Sequence, residues 1–282
     1  MATIDYLLLG HITADIAPEG RTLGGTVSYA APIASQFDHQ VGILTSAAPD
    51  EPLLFQLMDA ATLSVRVAKA TTTFENIYPP NASRIQYVHA LASKLTYEDI
   101  PSGWVNAPLV HLAPLVEEVP PEIVHRFPDS TVMLTPQGWL RQWDEQGKVS
   151  FKRWYDEDIL SAVDIIVFSK PDVAAAPEME YEFARAVKHC LVTDGADGGI
   201  YYYEGQPMPY RADPVQEVDP TGAGDVFATA LLASLPLLDH NMQAAIKVAI
   251  RLSAISVTHP GVVVFTPDDI NQAIEAARQE FL

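Results

Sequence analysis

An aspartate placed directly after a glycine-rich turn is the feature of this sequence that points most clearly to chemistry. The turn reads Thr221-Gly222-Ala223-Gly224-Asp225, and apolar residues at helical spacing follow it from Val226 onward. The first amide N–H groups of a helix have no partner within the helix and lie at the positive end of its dipole, so they can bind a phosphate. We predict that the amides of residues 222–225 bind an anion. Asp225 would repel a phosphate, and we predict that it takes the proton from an attacking hydroxyl.

Two familiar phosphate-binding motifs do not fit this stretch. A Walker A loop requires a lysine after its glycines, and a dinucleotide fingerprint requires a third glycine where Phe227 stands. A glycine-rich helix start with a solvated aspartate remains the alternative to a catalytic turn. The residues before it, Glu217-Val218-Asp219, are expected to end a strand, which would place the turn between a strand and a helix.

The composition limits the classes of protein to consider. The chain has 282 residues, is 48% hydrophobic and carries a formal net charge of −19. It contains one cysteine, Cys190, no basic block, and no apolar run of the length that spans a membrane. We expect a soluble cytoplasmic protein that binds neither nucleic acid nor membranes, although amide groups and Mg²⁺ can still bind a small phosphate.

Apolar runs alternate with amphipathic stretches, and this pattern is typical of a parallel sheet covered by helices. We predict an α/β fold for a single domain covering residues 1–282. Helices are expected near Tyr29, where Pro32 would lie in the first turn, and after the glycine turn. The predicted strands are Ile4–Leu9, Val41–Leu44, Leu109–Leu112, Val132–Leu134, Ile165–Phe168 and Leu191–Val192, and the predicted helices are Glu178–Lys188, Ala223–Leu232, Met242–Val257 and Pro267–Phe281, the last with Thr266 as its N-cap.

Two predicted hairpins interrupt this alternation. One joins Gly199–Tyr203 to Met208–Arg211 through Glu204-Gly205, and the other joins Thr71–Tyr78 to Ser83–His89 through Pro79-Pro80-Asn81. The second hairpin and the residues near 12–24 fall outside the βα pattern. We predict that residues of about 12–24 and 70–90 form a small β lid over the edge of the sheet.

The segment Asp219-Pro220-Thr221-Gly222-Ala223-Gly224-Asp225-Val226-Phe227 resembles the signature of the ribokinase, or PfkB, family of carbohydrate kinases. Other segments agree with the family in order, so the resemblance covers nearly the whole chain. It implies a ribokinase-like three-layer α/β/α sandwich and ATP-dependent phosphorylation of a hydroxyl. It also implies Asp225 as the general base and the amides of Gly222, Ala223, Gly224 and Asp225 as the anion hole.

The resemblance also implies the two substrate sites. The stretch from Val192 to Gly199 is similar to the family's nucleotide-binding segment, which implies that Thr193, Gly195 and Gly198, together with Thr221, contact ATP. A plain strand and turn is the alternative. Near the start of the chain, Gly24-Gly25 matches the substrate-side glycine pair, and Asp15 stands where the family binds substrate hydroxyls.

The sequence departs from the family at the magnesium motif. The usual N-x-x-E is replaced by Ser169-Lys170-Pro171-Asp172, so Asp172 either orients Mg²⁺ or caps the following helix. The usual substrate asparagine is also absent near Ser28 and Tyr29.

Several segments, including LGGTVSYAA and LTPQGWLRQWDEQGKV, resemble the branch that contains myo-inositol kinases. The resemblance implies a sugar or cyclic polyol as the acceptor, with Gln137 and Arg141 at the end of a strand as binding residues. A surface Arg141 paired with Asp144 or Glu145 is the alternative. A nucleoside or vitamin-precursor kinase and a non-catalytic relative also remain open, and a homodimer through the lid is implied by the resemblance alone.

Overall fold

The structure is a computed structural model that describes residues 3–18, 20–77, 79, 84–261 and 264–281. Within these residues, the chain forms fifteen strands and six α-helices. The strands are β1 (Tyr6–Leu9), β2 (Thr13–Ala17), β3 (Gly20–Gly24), β4 (Val41–Ala47), β5 (Thr62–Val67), β6 (Thr73–Ile77), β7 (Ile85–Ala90), β8 (Leu109–Leu112), β9 (Thr131–Leu134), β10 (Arg141–Trp143), β11 (Val149–Phe151), β12 (Ile165–Ser169), β13 (His189–Thr193), β14 (Gly199–Tyr203) and β15 (Gln206–Tyr210). The helices are α1 (Thr26–Gln36), α2 (Glu157–Ser161), α3 (Met179–Ala186), α4 (Ala223–Ser234), α5 (Met242–Ser256) and α6 (Pro267–Phe281).

Nine strands form the main sheet in the order β15-β14-β13-β12-β9-β8-β1-β4-β5. All neighbours from β13 to β5 are parallel, and β14 and β15 add an antiparallel hairpin at one edge. Alternate residues of β1 enter opposite cores: Tyr6 and Leu8 pack on the side of α1, α4, α5 and α6, and Leu7 and Leu9 pack on the side of α3. A parallel sheet buried on both faces explains why its strands read as continuous apolar runs. The predicted α/β sandwich is confirmed.

The predicted hairpin around Glu204-Gly205 is present as β14 and β15. Both turn residues have positive φ, 49° for Glu204 and 77° for Gly205, as a two-residue hairpin turn requires. Thr266 caps α6 as predicted, because its hydroxyl accepts a hydrogen bond from the Asp269 N–H at 3.2 Å.

The predicted start of the first helix is wrong. Helix α1 begins at Thr26, not near Tyr29, and it contains Pro32 in its interior. The preceding Gly25 has a φ of 92°, which breaks the chain direction before Thr26. Burial of small side chains such as Ala30 and Ala31 against the core outweighs the backbone hydrogen bond that the proline removes.

The strand predicted to end at Glu217–Asp219 is also absent. Strand β15 ends at Tyr210, and residues 211–222 form a loop. The N–H groups of Val218 and Asp219 both donate to the carbonyl oxygen of Val257, at 2.7 and 3.1 Å, so a helix end satisfies them instead of a neighbouring strand.

A second sheet, in the order β3-β2-β6-β7, covers one end of the main sheet, and we call it the lid. A two-stranded hairpin of β10 and β11 lies beside β7. Most of the turn predicted at Pro79-Pro80-Asn81 lies outside the described residues. Among the described residues, no helix has the length and apolar character needed to cross a membrane.

Candidate active site

A cavity of about 780 Å³ opens where the parallel strands of the main sheet end. Residues that directly follow β9, β12 and β13 line it, together with the first residues of α1 and α4 and one face of the lid. This volume lies in the usual range for small-molecule sites, and the carboxyl ends of parallel strands are where α/β sheets bind ligands.

Glycine stands at positions 222 and 224 at the start of α4 for different structural reasons. Gly222 has a left-handed φ of 80°, and a Cβ built on it would lie 2.6 Å from the Tyr29 ring. Gly224 has no such restriction, because a Cβ there meets no heavy atom within 4 Å. The fold therefore requires glycine at 222, whereas at 224 it leaves open space at the wall of the cavity.

The amides of this turn are not all free. Ala223 N–H donates to the carbonyl oxygen of Pro220 at 3.2 Å, so the prediction of four free consecutive amides is wrong at Ala223. The left-handed Gly222 folds residues 220–223 into a turn that closes this bond. No described residue accepts a hydrogen bond from the N–H groups of Gly222, Gly224 or Asp225.

Asp219 holds the glycine turn in place. Its Oδ1 accepts from the Thr221 N–H at 2.9 Å, and its Oδ2 accepts from the Gly261 N–H at 3.1 Å. Hydrogen bonds from the Thr221 side chain and backbone lower the pKa of Asp219. The carboxylate thus joins the start of α4 to the chain that follows α5.

Asp225 lies in the first turn of α4 and lines the cavity. Burial raises its pKa to about 6, and the neighbouring Asp172 acts in the same direction, while the Thr26 side chain and Arg141 oppose the rise. A carboxylate with this pKa is ionised at neutral pH yet binds a proton more readily than an ordinary aspartate. Those are the properties that a general base needs.

Thr26, which sequence reasoning did not select, approaches Asp225 from the start of α1. Gly25 is the N-cap of that helix, and a Cβ on it would lie 2.7 Å from the carbonyl oxygen of His11. The Thr26 side chain is 6% exposed and lines the cavity. The first turns of α1 and α4 therefore meet at the cavity. The sequence offered one signal for Thr26 as a site residue, since it directly follows the glycine pair Gly24-Gly25.

Asp15 lies on β2 at the lid side of the cavity. The Thr13 hydroxyl donates to its Oδ1 at 2.8 Å, and burial raises its pKa. A Cβ on Gly24 would lie 2.7 Å from Asp15 Oδ2. Gly24 therefore contributes by leaving room for the carboxylate.

The lid supplies further polar groups that the sequence analysis missed. Asn76 on β6, Gln86 on β7 and the adjoining Arg84 line the cavity, as does Phe74. Phe74 and Asn76 share one face because side chains alternate along a strand. The alternation in TFENI could have grouped Phe74 with Asn76 on one face of the strand. It could not have indicated which face of the strand lines the cavity.

Gln137 and Arg141 follow β9 and line the cavity, and Arg141 is near enough to Asp15 and Arg84 to interact electrostatically with both. Burial lowers the pKa of Arg141 to about 10. Arg141 makes no ion pair with any residue the structure describes, and the Asp144 carboxylate instead accepts from the N–H groups of Gln146 and Lys148. The alternative of a paired surface arginine is therefore wrong.

The residues predicted to contact a nucleotide line the cavity from the turn after β13 and from the loop before α4. Thr193, Gly195, Gly198 and Thr221 all line it. Gly198 has a φ of 91°, and a Cβ on it would lie 2.2 Å from the carbonyl oxygen of Tyr210, whereas the space around Gly195 is open. Beyond these residues the cavity is bounded mainly by apolar side chains of the 211–222 loop and α5: Val215, Ile250, Ala254 and Val257.

Asp172 is held as a cap. Its Oδ2 accepts from the N–H and the hydroxyl of Ser169, at 2.9 and 2.7 Å, which closes a capping box after β12. Across the described ranges, three or more histidine, cysteine or acidic residues do not gather into a metal-binding group. Asp172 still lines the cavity and influences the charge of Asp225.

Comparisons with known proteins place part of the chain in a family of carbohydrate kinases. Residues 156–269 match the model of the pfkB family carbohydrate kinases. The predicted resemblance to this family is thereby confirmed over these residues. The matched residues include the glycine turn, Asp225 and the turn after β13. The predicted phosphotransferase that acts on an alcohol group is confirmed.

This kinase is similar to two characterised relatives along most of its length. It is 24% identical to a cytidine kinase of Thermococcus kodakarensis over 261 residues, covering 82% of this chain and 88% of the relative. It is 26% identical to an inositol 3-kinase of Oryza sativa subsp. japonica, covering 97% of this chain and 74% of the relative. A sulfate complex of a pyrophosphate-dependent kinase in the ribokinase family has the same fold, with a TM-score of 0.79 and 19% identity over 94% of this chain and 99% of that one. The predicted ribokinase-like sandwich is thereby confirmed.

Proposed function

We propose that this kinase transfers the γ-phosphoryl group of ATP to a hydroxyl group of a cyclic polyol, with myo-inositol as the first candidate. The observation that carries the proposal is the placement of Asp225. Its carboxylate, with a pKa of about 6, lies beside the open start of α4 and in the same cavity as Asp15. A base, an anion site and a hydroxyl-binding carboxylate are the three parts that phosphoryl transfer to an alcohol needs.

The reaction follows from these positions. Asp225 accepts the proton of the acceptor hydroxyl, the acceptor oxygen forms a bond to the γ-phosphorus, and the bond to the β–γ bridging oxygen breaks to release ADP. The N–H groups of Gly222 and Gly224 stabilise charge on the phosphoryl oxygens. Asp15 binds acceptor hydroxyls and keeps the reacting one directed at Asp225. Arg141, which Asp225 attracts electrostatically, supplies positive charge at the acceptor side.

The donor proposal rests on the shape of the distal part of the cavity. Pyrophosphate, the donor in the structurally similar kinase, has no apolar part to bury. Here, Val215, Ile250 and Val257 line the cavity beyond the phosphate side. These side chains suit the flat base of a nucleotide, and Thr193, Gly195, Gly198 and Thr221 are proposed to contact its phosphates and sugar.

Mg²⁺ fits this site as a partner of the donor phosphates. Asp172 uses Oδ2 in the capping box, and its Oδ1 accepts no hydrogen bond from a described residue. We propose that Asp172 orients water ligands of the ion rather than binding it directly, since its position offers only one further oxygen. When bound, Mg²⁺ neutralises charge on the transferring group.

A polyol is favoured over a nucleoside by the acceptor side of the cavity. The side chains there are rich in hydrogen-bonding groups, from Asp15, Asn76, Gln86, Gln137 and Arg141. A ring with hydroxyls on every carbon can use them all, whereas a nucleobase needs a flat apolar slot. The similarity to a cytidine kinase makes a nucleoside the second candidate.

We also propose that residues 12–24 and 70–90 close over the acceptor and that two copies of the chain meet through the outer face of the lid. Ile16 and Ile77 are 44% and 41% exposed on that sheet. Light scattering of the wild type and of Ile16→Lys tests the dimer, because a charge on this face would shift it toward monomer.

The test of function is a matrix of acceptors and donors. Purified kinase is incubated with myo-inositol, ribose, fructose or cytidine, with Mg·ATP or Mg·pyrophosphate, and phosphorylated product is measured by mass spectrometry. We expect product from myo-inositol and ATP, and Asp225→Asn to lower its rate by about 10²–10⁴-fold while ATP still binds. Phosphorylated cytidine without inositol phosphate would overturn the acceptor, and turnover with pyrophosphate alone would overturn the donor.

A further inference from the structure

The β10–β11 hairpin, which carries Arg141, is joined to the lid by strand pairing. The Val88 N–H on β7 donates to the carbonyl oxygen of Gly147 at 2.8 Å, and Tyr87 pairs with Lys148 in an antiparallel bridge. The hairpin thus continues the lid sheet beyond β7.

Gly147 is the residue that permits this approach. It has a φ of 81°, and a Cβ built on it would lie 2.2 Å from the carbonyl oxygen of Val88. Backbone atoms cannot move aside as a flexible side chain can, so any larger residue at 147 must push the hairpin away from β7.

The hairpin also packs against the lid through its side chains. Trp143 and Val149 contact a buried cluster that includes Phe74 of β6 and Val88 of β7. Arg141 lies two residues before Trp143 on β10, so both side chains lie on the same face of the strand. One of them packs against the lid cluster, and the other lines the cavity.

The base of the hairpin is anchored to the body of the protein. The Leu140 N–H, directly before Arg141, donates to the carbonyl oxygen of Pro136 at 3.2 Å, and the Leu140 side chain is buried in the core on the side of α3. The far end of the hairpin rests on the lid through Gly147. A displacement at Gly147 would therefore turn the hairpin about its base and move the Arg141 guanidinium.

We propose that the hairpin is a working part of the lid and that Gly147 is a positioning residue: its contact with Val88 sets where Arg141 stands in the acceptor site. This inference rests on the proposed function for the role of Arg141. Arg141 lies on β10, outside the four strands of the lid. The contact between the hairpin and β7 would let the lid carry the Arg141 guanidinium to the reacting groups when it closes.

The test substitutes Gly147→Ala, with Gly205→Ala as the matched control. Gly205 also has a positive φ, 77°, in a hairpin turn, but a Cβ there meets no atom closer than 3.6 Å. Both variants bear the cost of alanine at positive φ, and only Gly147→Ala creates a clash. We expect Gly147→Ala to raise the KM for the acceptor by about 10- to 100-fold with little change in the KM for ATP, and Gly205→Ala to change neither.

A double-mutant cycle shows whether Gly147 acts through Arg141. Once Arg141→Gln has removed the guanidinium, adding Gly147→Ala should cause little further loss, because the two changes remove the same interaction. Losses that multiply would overturn the proposal, and so would an unchanged KM in Gly147→Ala.

A measurement without turnover separates this proposal from the proposed function. The NMR signal of the Arg141 Nε–H group should shift in Gly147→Ala and not in Gly205→Ala, whatever the acceptor proves to be. An Arg141 signal that is unchanged in Gly147→Ala overturns the positioning role. Absence of any polyol kinase activity in the wild type, with the shift present, overturns only the proposed function.

Discussion

Gly224 is the residue at which fold and function make opposite demands. It lies in the first turn of α4 without a positive φ, and no atom of a described residue lies within 4 Å of the place of its missing side chain. Alanine is a better helix former than glycine, so Gly224→Ala should raise the free energy of unfolding by up to about 1 kcal/mol. The added methyl group would project into the cavity beside the proposed phosphate site and should raise the KM for ATP.

Urea denaturation and steady-state kinetics of the same preparation check this prediction. Gly222→Ala is the contrasting variant, since a Cβ there meets the Tyr29 ring, and it should lose stability. A Gly224→Ala enzyme with wild-type kinetics would exclude the anion site at this turn.

Thr26 offers a way to assign the pH dependence to Asp225. The proposed base must be deprotonated, so kcat/KM should rise with pH through about 6, the pKa of Asp225. The Thr26 side chain lowers that pKa. Thr26→Val should therefore move the acid limb of the pH profile to higher pH, while Thr26→Ser should leave it in place. A titration of ATP itself would give the same limb in all three enzymes.

For individual residues, the sequence predicted which side chains line the site better than it predicted the hydrogen bonds within it. Asp225, Asp15 and the glycine pairs could be found because short motifs carry them, and all of them except Gly24 line the cavity. The hydrogen bond of Ala223 N–H could not be found, since it depends on the left-handed Gly222 and the Pro220 carbonyl oxygen. Thr26 acts on Asp225 from a helix start about two hundred residues earlier in the chain.

Two elements of the site are held together by a buried carboxylate, Glu118. It is 1% exposed and accepts from the N–H groups of His11 at 2.8 Å, Leu115 at 2.9 Å and Val116 at 2.8 Å. These amides follow β1 and β8, and both segments reach the acceptor side of the cavity. Both oxygens of one side chain therefore accept hydrogen bonds, and together they satisfy all three N–H groups.

Glu118→Gln should therefore destabilise the protein although it preserves size. The glutamine NH₂ group would face N–H donors and leave at least one of them unpaired, at a cost of about 1–3 kcal/mol. Glu275→Gln, which alters an exposed carboxylate of α6, is the control. Urea denaturation of the two variants gives the comparison, and equal stability would mean that the three amides do not require a carboxylate.

Elements with a strong apolar pattern were predicted well, and those that depend on tertiary contacts were not. The helices α5 and α6 and the strands around β1 and β8 have continuous or periodic apolar patterns that survive in any tertiary context. The β10–β11 hairpin has strands of three residues that are stabilised by contacts with β7 and the lid cluster, so no local sequence pattern predicts it. The start of α1 was missed because burial outweighs the cost of Pro32.

The free energy of unfolding of the whole molecule should depend on pH through the ionisation of Asp225. Its pKa is about 6 in the folded protein, above the ordinary value of 3.8. A raised acid pKa means that the folded state holds this proton more tightly than the unfolded state. The stability that this provides is complete below pH 3.8 and is lost as the pH rises through about 6.

Asp225→Asn should therefore be more stable than the wild type at pH 8 and nearly equal to it at pH 4. The asparagine stays neutral and avoids the cost of a buried charge beside Asp172. A gain of 1 kcal/mol would appear as an increase of about 2–4 °C in Tm for a chain of this size. Carboxylates far from position 225 contribute alike to both proteins, so the difference in Tm reports on position 225 and its immediate surroundings. A difference that is constant from pH 4 to pH 8, or that shrinks as the pH rises, would mean that the carboxylate is not buried in the way that makes it a base.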